Sequence, residues 1–265
     1  MEDIQPATQV ALTAVRRGLE LARGRAGADE ITSKDGRDLV TATDTAVEDE
    51  IRGIVADASP DPVVGEERGG DVPADGSAYW LLDPICGTRN FASGIPLYCV
   101  NLALVEGDRI SLAVVGDASI DEIQFAERGR GAWAVDHEGR RQLFTSGQSQ
   151  TIVVESGRAA GSRREHAARF ARDAIRADRW DMRNLSSSLS SAYVSAGRVA
   201  AYVLFSASAL HTGAGTLLVE EAGGSVSDID GAPWTLRSDS LLASADRGLH
   251  RELIDMVRAS ARSSE

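Results

Sequence analysis

Hydrophobic residues recur along the chain with two different spacings, which predict alternating helices and strands. Helical spacing predicts helices over residues 4–23, about 45–56, 162–174, 187–196, 212–222 and 250–258. Apolar runs predict strands over residues 98–105, 110–116, 122–125 and 132–135, and from Thr151 onward. Asp44 stands just before the second helix and is predicted to cap its N-terminus. Strand pairs followed by helices indicate an α+β or layered α/β fold.

Composition and charge narrow the possible classes of protein. The 265 residues are predicted to form a single domain with two halves, about 1–145 and 146–265. No apolar run approaches the length of a membrane span, and the N-terminus lacks the features of a secretion signal. The net charge of −12 argues against nucleic acid or an anionic membrane as partner. Two cysteines, Cys86 and Cys99, do not make a disulfide framework, so a cytoplasmic location is expected.

Five motifs occur in one order along the chain. They are DLVTATD at 38–44, VVGEE at 63–67, WLLDPICGTRNF at 80–91, GRGAW at 129–133 and GTLLVEEAGG at 215–224. Together they resemble the inositol monophosphatase superfamily, with a cysteine where the third motif has its second aspartate in that family. The resemblance implies a layered α-β-α-β-α sandwich, a homodimer, and metal-dependent hydrolysis of a phosphorylated small molecule.

The same resemblance assigns a first metal site and a water-activating pair. Glu66, Asp83 and the carbonyl of Ile85 would hold the first metal, and their oxygen atoms suit Mg²⁺. Asp44 and Thr88 would position the attacking water. All five residues carried over from the family pattern are present in this sequence.

Substrate contacts are predicted from the residues around this site. The backbone amides of Gly87 and Thr88 would bind phosphate at the start of a helix. Arg89 follows and is a candidate contact for a second anionic group, with a surface ion pair as the plainer explanation. Ser187 and Ser188 match a loop that lies near the substrate in the family, with helix capping as the plainer explanation.

The second metal site departs from the family pattern at two positions. In the family, two aspartates bind only the second metal, and these correspond to Cys86 and His211 here. The aspartate that binds both metals remains, as Asp83. Three interpretations stay open. Cys86 and His211 hold a softer metal such as Zn²⁺; the second site is empty and a single Mg²⁺ serves; or Cys86 is a nucleophile with His211 as its base, for acyl-transfer or thiol chemistry. A catalytically inactive binding homologue would explain both substitutions as well.

The predicted function is therefore metal-dependent phosphomonoester hydrolysis of a small phosphorylated metabolite. The family often carries an acidic residue, about seven positions before the late aspartate, that contacts sugar or inositol hydroxyls. Leu204 stands at that place, within an apolar run. Inositol phosphate is therefore not expected to be the substrate.

Overall fold

Alternating helices and strands form throughout the described part of the chain. The protein's structure is a computed structural model that describes residues 4–27, 31–33 and 39–262. Its helices are α1 (Pro6–Arg23), α2 (Ala42–Ala58), α3 (Thr88–Ala92), α4 (Gly161–Arg176), α5 (Leu189–Ser195), α6 (Ala209–Glu221) and α7 (Arg247–Arg262). None of these described helices is both long and apolar enough to cross a membrane. Asp38, the first residue of the DLVTATD motif, lies outside the described residues.

Three sheets contain the strands. A small antiparallel pair consists of β1 (Ile31–Ser33) and β2 (Leu39–Thr41). A seven-stranded sheet contains, in spatial order, β3 (Val63–Gly65), β4 (Tyr79–Cys86), β5 (Cys99–Glu106), β6 (Arg109–Asp117), β7 (Glu122–Glu127), β8 (Ala132–Asp136) and β9 (Gly139–Gln142). A five-stranded sheet has the order β11-β10-β12-β14-β13, with β10 (Thr151–Glu155), β11 (Asp181–Arg183), β12 (Ala201–Leu204), β13 (Ser225–Ser227) and β14 (Leu241–Ser244).

The seven-stranded sheet is covered on both faces. Successive side chains of a strand point to opposite faces, so β4 contributes to two separate cores. Trp80 and Leu82 pack in the core that α1 and α2 form with the sheet. Tyr79 and Leu81 pack on the other side, in a core shared with α5 and α6. Double coverage explains why β4 is buried along its whole length.

The five-stranded sheet completes the layers. Tyr202 of β12 packs in a core with Val194 of α5 and Val219 of α6. On the opposite face, Phe170 of α4 and Leu253 of α7 share a core with the same sheet. The layers are therefore α1/α2, the seven-stranded sheet, α5/α6, the five-stranded sheet and α4/α7. The predicted α-β-α-β-α sandwich is confirmed.

The start of α2 corrects the prediction that Asp44 is an N-cap. The helix begins at Ala42 and is capped by Thr41, so Asp44 lies inside the first turn. The two residues form a reciprocal capping box: the Thr41 side chain accepts from the Asp44 amide, and Asp44 Oδ2 accepts from the Thr41 amide at 2.9 Å. This arrangement leaves Asp44 Oδ1 available to face the next element.

Two other helix starts differ from the sequence prediction. The helix predicted from residue 212 begins at Ala209, which places His211 in its first turn. The helix predicted from Ser187 begins at Leu189, because Ser186 adopts a left-handed conformation with φ 53° and interrupts the chain before it. Both differences involve residues at the candidate site.

The buried His250 of α7 should make the stability of the folded protein depend on pH. Its imidazole is buried between Ser244 Oγ, 2.8 Å from Nδ1, and Ser227 Oγ, 2.9 Å from Nε2. Burial lowers the pKa of His250 below its ordinary value. The folded protein therefore binds fewer protons here than the unfolded chain, so this contribution is present above the unfolded pKa and is lost as pH falls below about 6.5.

We expect a His250→Gln variant to lose less stability than the native chain between pH 7 and pH 5, as measured by urea unfolding. The matched control is His137→Gln, because His137 is exposed over 83% of its side chain. That variant should keep the native pH dependence. Equal slopes for the native chain and the His250→Gln variant would contradict the assignment.

Candidate active site

A β-bulge at the end of β4 brings two candidate ligands to one face of the sheet. Residues three apart on a regular strand point to opposite faces. Here the pairing with β5 shifts between Asp83, opposite Asn101, and Cys86, opposite Cys99. The extra residue in β4 resets the alternation, so Cys86 packs on the same side as Leu81.

His211 approaches this face from α6. Its Nδ1 lies 3.1 Å from Cys86 Sγ and 3.7 Å from Asp83 Oδ2. One ligand atom from each of the three residues falls within 4.8 Å of the other two. A thiol and an imidazole separated by 125 positions in the sequence therefore meet beside one carboxylate.

Burial and mutual charge set the protonation of this trio. Burial raises the pKa of Asp83 well above its ordinary value, and the nearby charges of Cys86 and Glu66 raise it further. Burial opposes ionisation of Cys86, but the hydrogen bond with Cys99 and the charge of His211 outweigh it, so the pKa of Cys86 lies well below its ordinary value. Burial also opposes the charge on His211, yet Cys86 and Asp83 raise its pKa. The arrangement favours a thiolate paired with an imidazolium.

Asp83 also carries an oxygen without a hydrogen bond. Its Oδ1 is buried and has no hydrogen-bond partner among the described residues. A buried carboxylate oxygen without a donor is costly unless a cation compensates it. The atom therefore fits a bound metal ion.

Glu66 lies beside this trio, directly after β3. Its backbone amide donates to the carbonyl of Leu82 at 3.1 Å, which fixes the turn against β4. Burial, and then the charge of Cys86, raises the pKa of Glu66. One of its carboxylate oxygens, Oε1, lies 3.5 Å from Arg158 Nη2.

A second chain of contacts joins α2 to α3. The Thr88 hydroxyl lies 3.2 Å from Asp44 Oδ1 and 3.1 Å from the carbonyl of Ile85, so it can donate to either. Thr41 donates through its amide and its hydroxyl to Asp44 Oδ2, at 2.9 and 2.6 Å. Burial raises the pKa of Asp44 to about 6 in spite of the Thr41 hydrogen bonds. The Thr88 hydroxyl thus connects Asp44 with the Ile85 carbonyl.

Gly87 makes the turn between Cys86 and α3. Its φ is 105°, and a Cβ at this position would lie 2.9 Å from the carbonyl oxygen of Leu97. Only glycine adopts this conformation at little cost. Gly87, Thr88 and Arg89 all line the same cleft as the ligand trio.

Ser187 and Ser188, predicted as substrate contacts, are buried beneath the site. The Ser187 hydroxyl donates to the carbonyl of Cys86 at 2.9 Å, and the amide of Ser188 donates to Cys86 Sγ at 3.1 Å. Asn101 donates to the Ser188 hydroxyl at 2.6 Å. These contacts hold Cys86 in place, while Ser186 takes the position that lines the cleft. The prediction is corrected accordingly, because the left-handed turn at Ser186 directs the next two side chains inward.

The cleft has a volume of about 680 Å³, enough for a small metabolite. It contains charged residues that the sequence motifs did not indicate: Glu155, Arg158 and Arg164. Glu155 is the last residue of the apolar strand β10. A carboxylate at the end of an apolar strand is the sequence feature that could have indicated its place in the cleft. The two arginines follow in a connection and a charged helix, where nothing in the sequence separates them from surface residues.

Comparisons with known proteins identify the family of this chain. The family model described as "Inositol monophosphatase family" matches residues 3–262. The chain belongs to the inositol monophosphatase family. It is 32% identical over 252 residues to an inositol-1-monophosphatase of Mesorhizobium japonicum, covering 92% of this chain and 93% of that protein. It is also 32% identical to the Nus factor SuhB of Haemophilus influenzae, over 96% of this chain and 97% of that protein.

Solved structures give the same family. The IMPase of Thermotoga maritima superposes with a TM-score of 0.85 at 26% identity, covering 97% of this chain and 98% of that one. An extragenic suppressor protein suhB from Bartonella henselae, at 24% identity, has the same fold with a TM-score of 0.86 over 98% of this chain and 100% of that one. Membership of this family supports a phosphatase-like enzyme that depends on metal ions.

Proposed function

We propose that this protein is a metal-dependent phosphomonoesterase with a remodelled second metal site. The observation that carries the proposal is the convergence of two groups on one cleft. One is Thr88 and the Ile85 carbonyl, which line the cleft, with the buried Asp44 in contact with Thr88; the other is Asp83, with its unpartnered buried oxygen, beside Cys86 and His211. A cleft with these groups suits the hydrolysis of a small phosphate ester.

The donor atoms suit two different metals. Glu66, Asp83 and the Ile85 carbonyl would hold the first metal, and an all-oxygen set favours Mg²⁺. Asp83, Cys86 and His211 would hold the second. One carboxylate, one thiolate and one imidazole favour Zn²⁺ over Mg²⁺ and leave a fourth position open. When bound, such metals neutralise phosphoryl oxygens and lower the pKa of a water molecule.

Asp44 and Thr88 orient the attacking water. The Thr88 hydroxyl oxygen lies within hydrogen-bond distance of Asp44 Oδ1 and the Ile85 carbonyl, so its position is set before substrate arrives. Asp44 Oδ2 is occupied by both Thr41 donors, which leaves Oδ1 to accept a proton from the water side. A pKa of about 6 suits a proton acceptor that works near neutral pH.

The substrate is a small phosphorylated metabolite other than inositol phosphate. Leu204 lines the cleft where an acidic residue contacts hydroxyls in the family, so a polyol loses an acceptor there. The amides of Gly87 and Thr88 would bind the phosphate. The cytoplasmic location, the homodimer and the lack of a nucleic-acid partner remain predictions from sequence, and the name Nus factor of one relative describes that relative.

A second candidate is thiol chemistry, with Cys86 as nucleophile and His211 as base. The 3.1 Å contact and the lowered pKa of Cys86 favour it. Against it, the Cys86 side chain is almost fully buried, at 2% exposure, and the Ser188 amide already donates to its sulfur. A metal ion is small enough to reach this buried sulfur, whereas nucleophilic attack needs the reacting atom of a substrate to reach it, so metal ligation fits better.

Removal of metal tests the proposal. The purified protein should contain bound metal by elemental analysis and should hydrolyse members of a panel of phosphorylated metabolites. Dialysis against a chelator should lower this activity by at least about a hundredfold, since the metals supply several kcal/mol to the transition state. Adding Mg²⁺ and Zn²⁺ back should restore it, and dialysis without chelator is the control.

Two outcomes would contradict the proposal in different ways. Activity that is indifferent to chelators, together with substrate-protected labelling of Cys86 by iodoacetamide, would assign the reaction to the thiol. Ligand affinity with no turnover on any substrate would make the protein a binding homologue.

A further inference from the structure

Three arginines from three separate segments line the active-site cleft. Arg89 lies in α3, Arg158 in the connection between β10 and α4, and Arg164 in the first turn of α4. The same cleft contains three carboxylates, so acids and arginines are equal in number there, although the whole chain has 40 acidic and 28 basic residues. The cleft therefore has one wall of metal-binding groups and another region of positive charge.

We propose that Arg158 and Arg164 form a subsite for a second anionic group of the substrate. The substrate class is then a small phosphomonoester that also carries a carboxylate or another phosphate. This inference rests on the proposed function, because the first phosphate is assigned to the metal side of the same cleft.

Arg158 lies where it can bind a substrate that occupies the metal side. Its Nη2 is 3.5 Å from Glu66 Oε1, so the guanidinium reaches the wall that holds the first metal. The Arg158 side chain is 68% exposed, and an exposed ion pair at this distance contributes little. A guanidinium can bind a carboxylate or phosphate with two parallel hydrogen bonds. The second anion would therefore lie close to the first, as in a small metabolite.

Arg164 supplies the other half of the subsite. It is exposed, and no carboxylate among the described residues pairs with it. By contrast, its neighbour Arg163 pairs with Asp239 at 2.8 Å, and Arg172 on the same helix pairs with Asp173 at 2.9 Å. Arg164 also lies in the first turn of α4, where the helix dipole has the same sign as its charge.

A third acid of the cleft, besides Glu66 and Asp83, is held by donors of the protein. Glu155 lines the cleft, but its Oε1 accepts from the amides of Leu185 and Ser186 at 3.1 and 2.9 Å. Its Oε2 accepts from the Tyr202 hydroxyl at 3.1 Å. Both oxygens of Glu155 therefore have hydrogen-bond donors of their own within the protein. Leu204 adds no charge.

A binding experiment with unreactive probes tests the subsite. Methylphosphonate carries one anionic group, whereas phosphonoacetate, 3-phosphonopropionate and 4-phosphonobutyrate add a carboxylate at increasing distance. In calorimetry with Mg²⁺ present, at least one member of the series should bind about tenfold or more tightly than methylphosphonate, as expected for hydrogen bonds to a charged group. Equal binding of all four probes would overturn the proposal.

Variants assign the preference to the two arginines. An Arg158→Gln, Arg164→Gln double variant should lose the tenfold ratio between the preferred probe and methylphosphonate. An Arg172→Gln variant, on the same helix but outside the cleft, should keep that ratio. A ratio retained in the double variant, or lost in the Arg172 variant, would overturn the assignment.

The probes separate this inference from the proposed function. Selective binding without hydrolysis of any phosphate ester would support the subsite and contradict the phosphatase. Hydrolysis without any preference for a second anion would support the phosphatase and contradict the subsite.

Discussion

An Asp83→Asn variant should lose phosphatase activity by about a thousandfold or more. The Asp83 carboxylate is the one group assigned to both metal sites, and an amide carries no charge to hold either metal. Losing one preorganised electrostatic contact commonly costs 10²–10³ in rate, and this change affects two metals at once. The metal-free folded state should not suffer, since Asp83 Oδ1 accepts no hydrogen bond from the described residues and burial already disfavours its charge. Initial rates and melting temperature measure the two effects.

The chain offers a matched control for this variant. Asp117 in β6 is also 1% exposed and also has a buried oxygen, Oδ2, without a partner among the described residues. It does not line the cleft. An Asp117→Asn variant should therefore keep its activity. Comparable activity in the Asp83→Asn variant and the native protein would contradict the assignment of Asp83 as a metal ligand.

The layered fold was predictable because local patterns determine most of it. Apolar runs predicted β5 and β6, and helical spacing predicted α1, while β4 was not predicted as a strand because it is buried on both faces and shows no alternation. The order of the motifs then matched one family. Helix starts were less predictable, because several polar residues compete for the cap. At α2, Thr41 is the cap and Asp44 completes a capping box, a choice that the short run of threonines and aspartate leaves open.

The candidate site was predictable only as far as its residues belong to motifs. The meeting of Cys86 and His211 followed from the resemblance and not from any local pattern, because the two lie 125 positions apart. The bulge that turns Cys86 toward Asp83 has no clear signal apart from Pro84. The burial of Ser187 and Ser188 depends on the left-handed turn at Ser186, which is stabilised by a distant acid, Glu155.

The arginines of the cleft illustrate the same limit. Arg158 and Arg164 follow a strand that the sequence predicts, but their position over the metal side depends on how the five-stranded sheet packs against the rest. Long-range packing of this kind leaves no periodic trace in the sequence. Only the three-dimensional structure therefore shows which charged residues line the cleft.

The second metal site should change its preference when its two unusual ligands are replaced. In a Cys86→Asp, His211→Asp double variant, the site offers oxygen atoms only, which favours Mg²⁺ over Zn²⁺. Even outer partners of metal ligands change affinity 10–100-fold, so replacing two direct ligands should weaken Zn²⁺ binding by more than about a hundredfold. Activity with Mg²⁺ alone should rise by at least about tenfold, because a second metal again stabilises the transition state.

Stability provides an independent measurement of the same exchange. The double variant places two more carboxylates beside Asp83 and Glu66, where like charges repel one another in a buried setting. Its metal-free form should therefore melt at a lower temperature than the native protein, and Mg²⁺ should raise that temperature by binding the folded state. A Cys99→Ala variant keeps all three grouped ligands and removes only the hydrogen bond that favours the Cys86 thiolate, so it should weaken Zn²⁺ binding much less than the double variant does. If calorimetry detects no second Mg²⁺ in the double variant and turnover with Mg²⁺ does not increase, Cys86 and His211 are not ligands of a second metal.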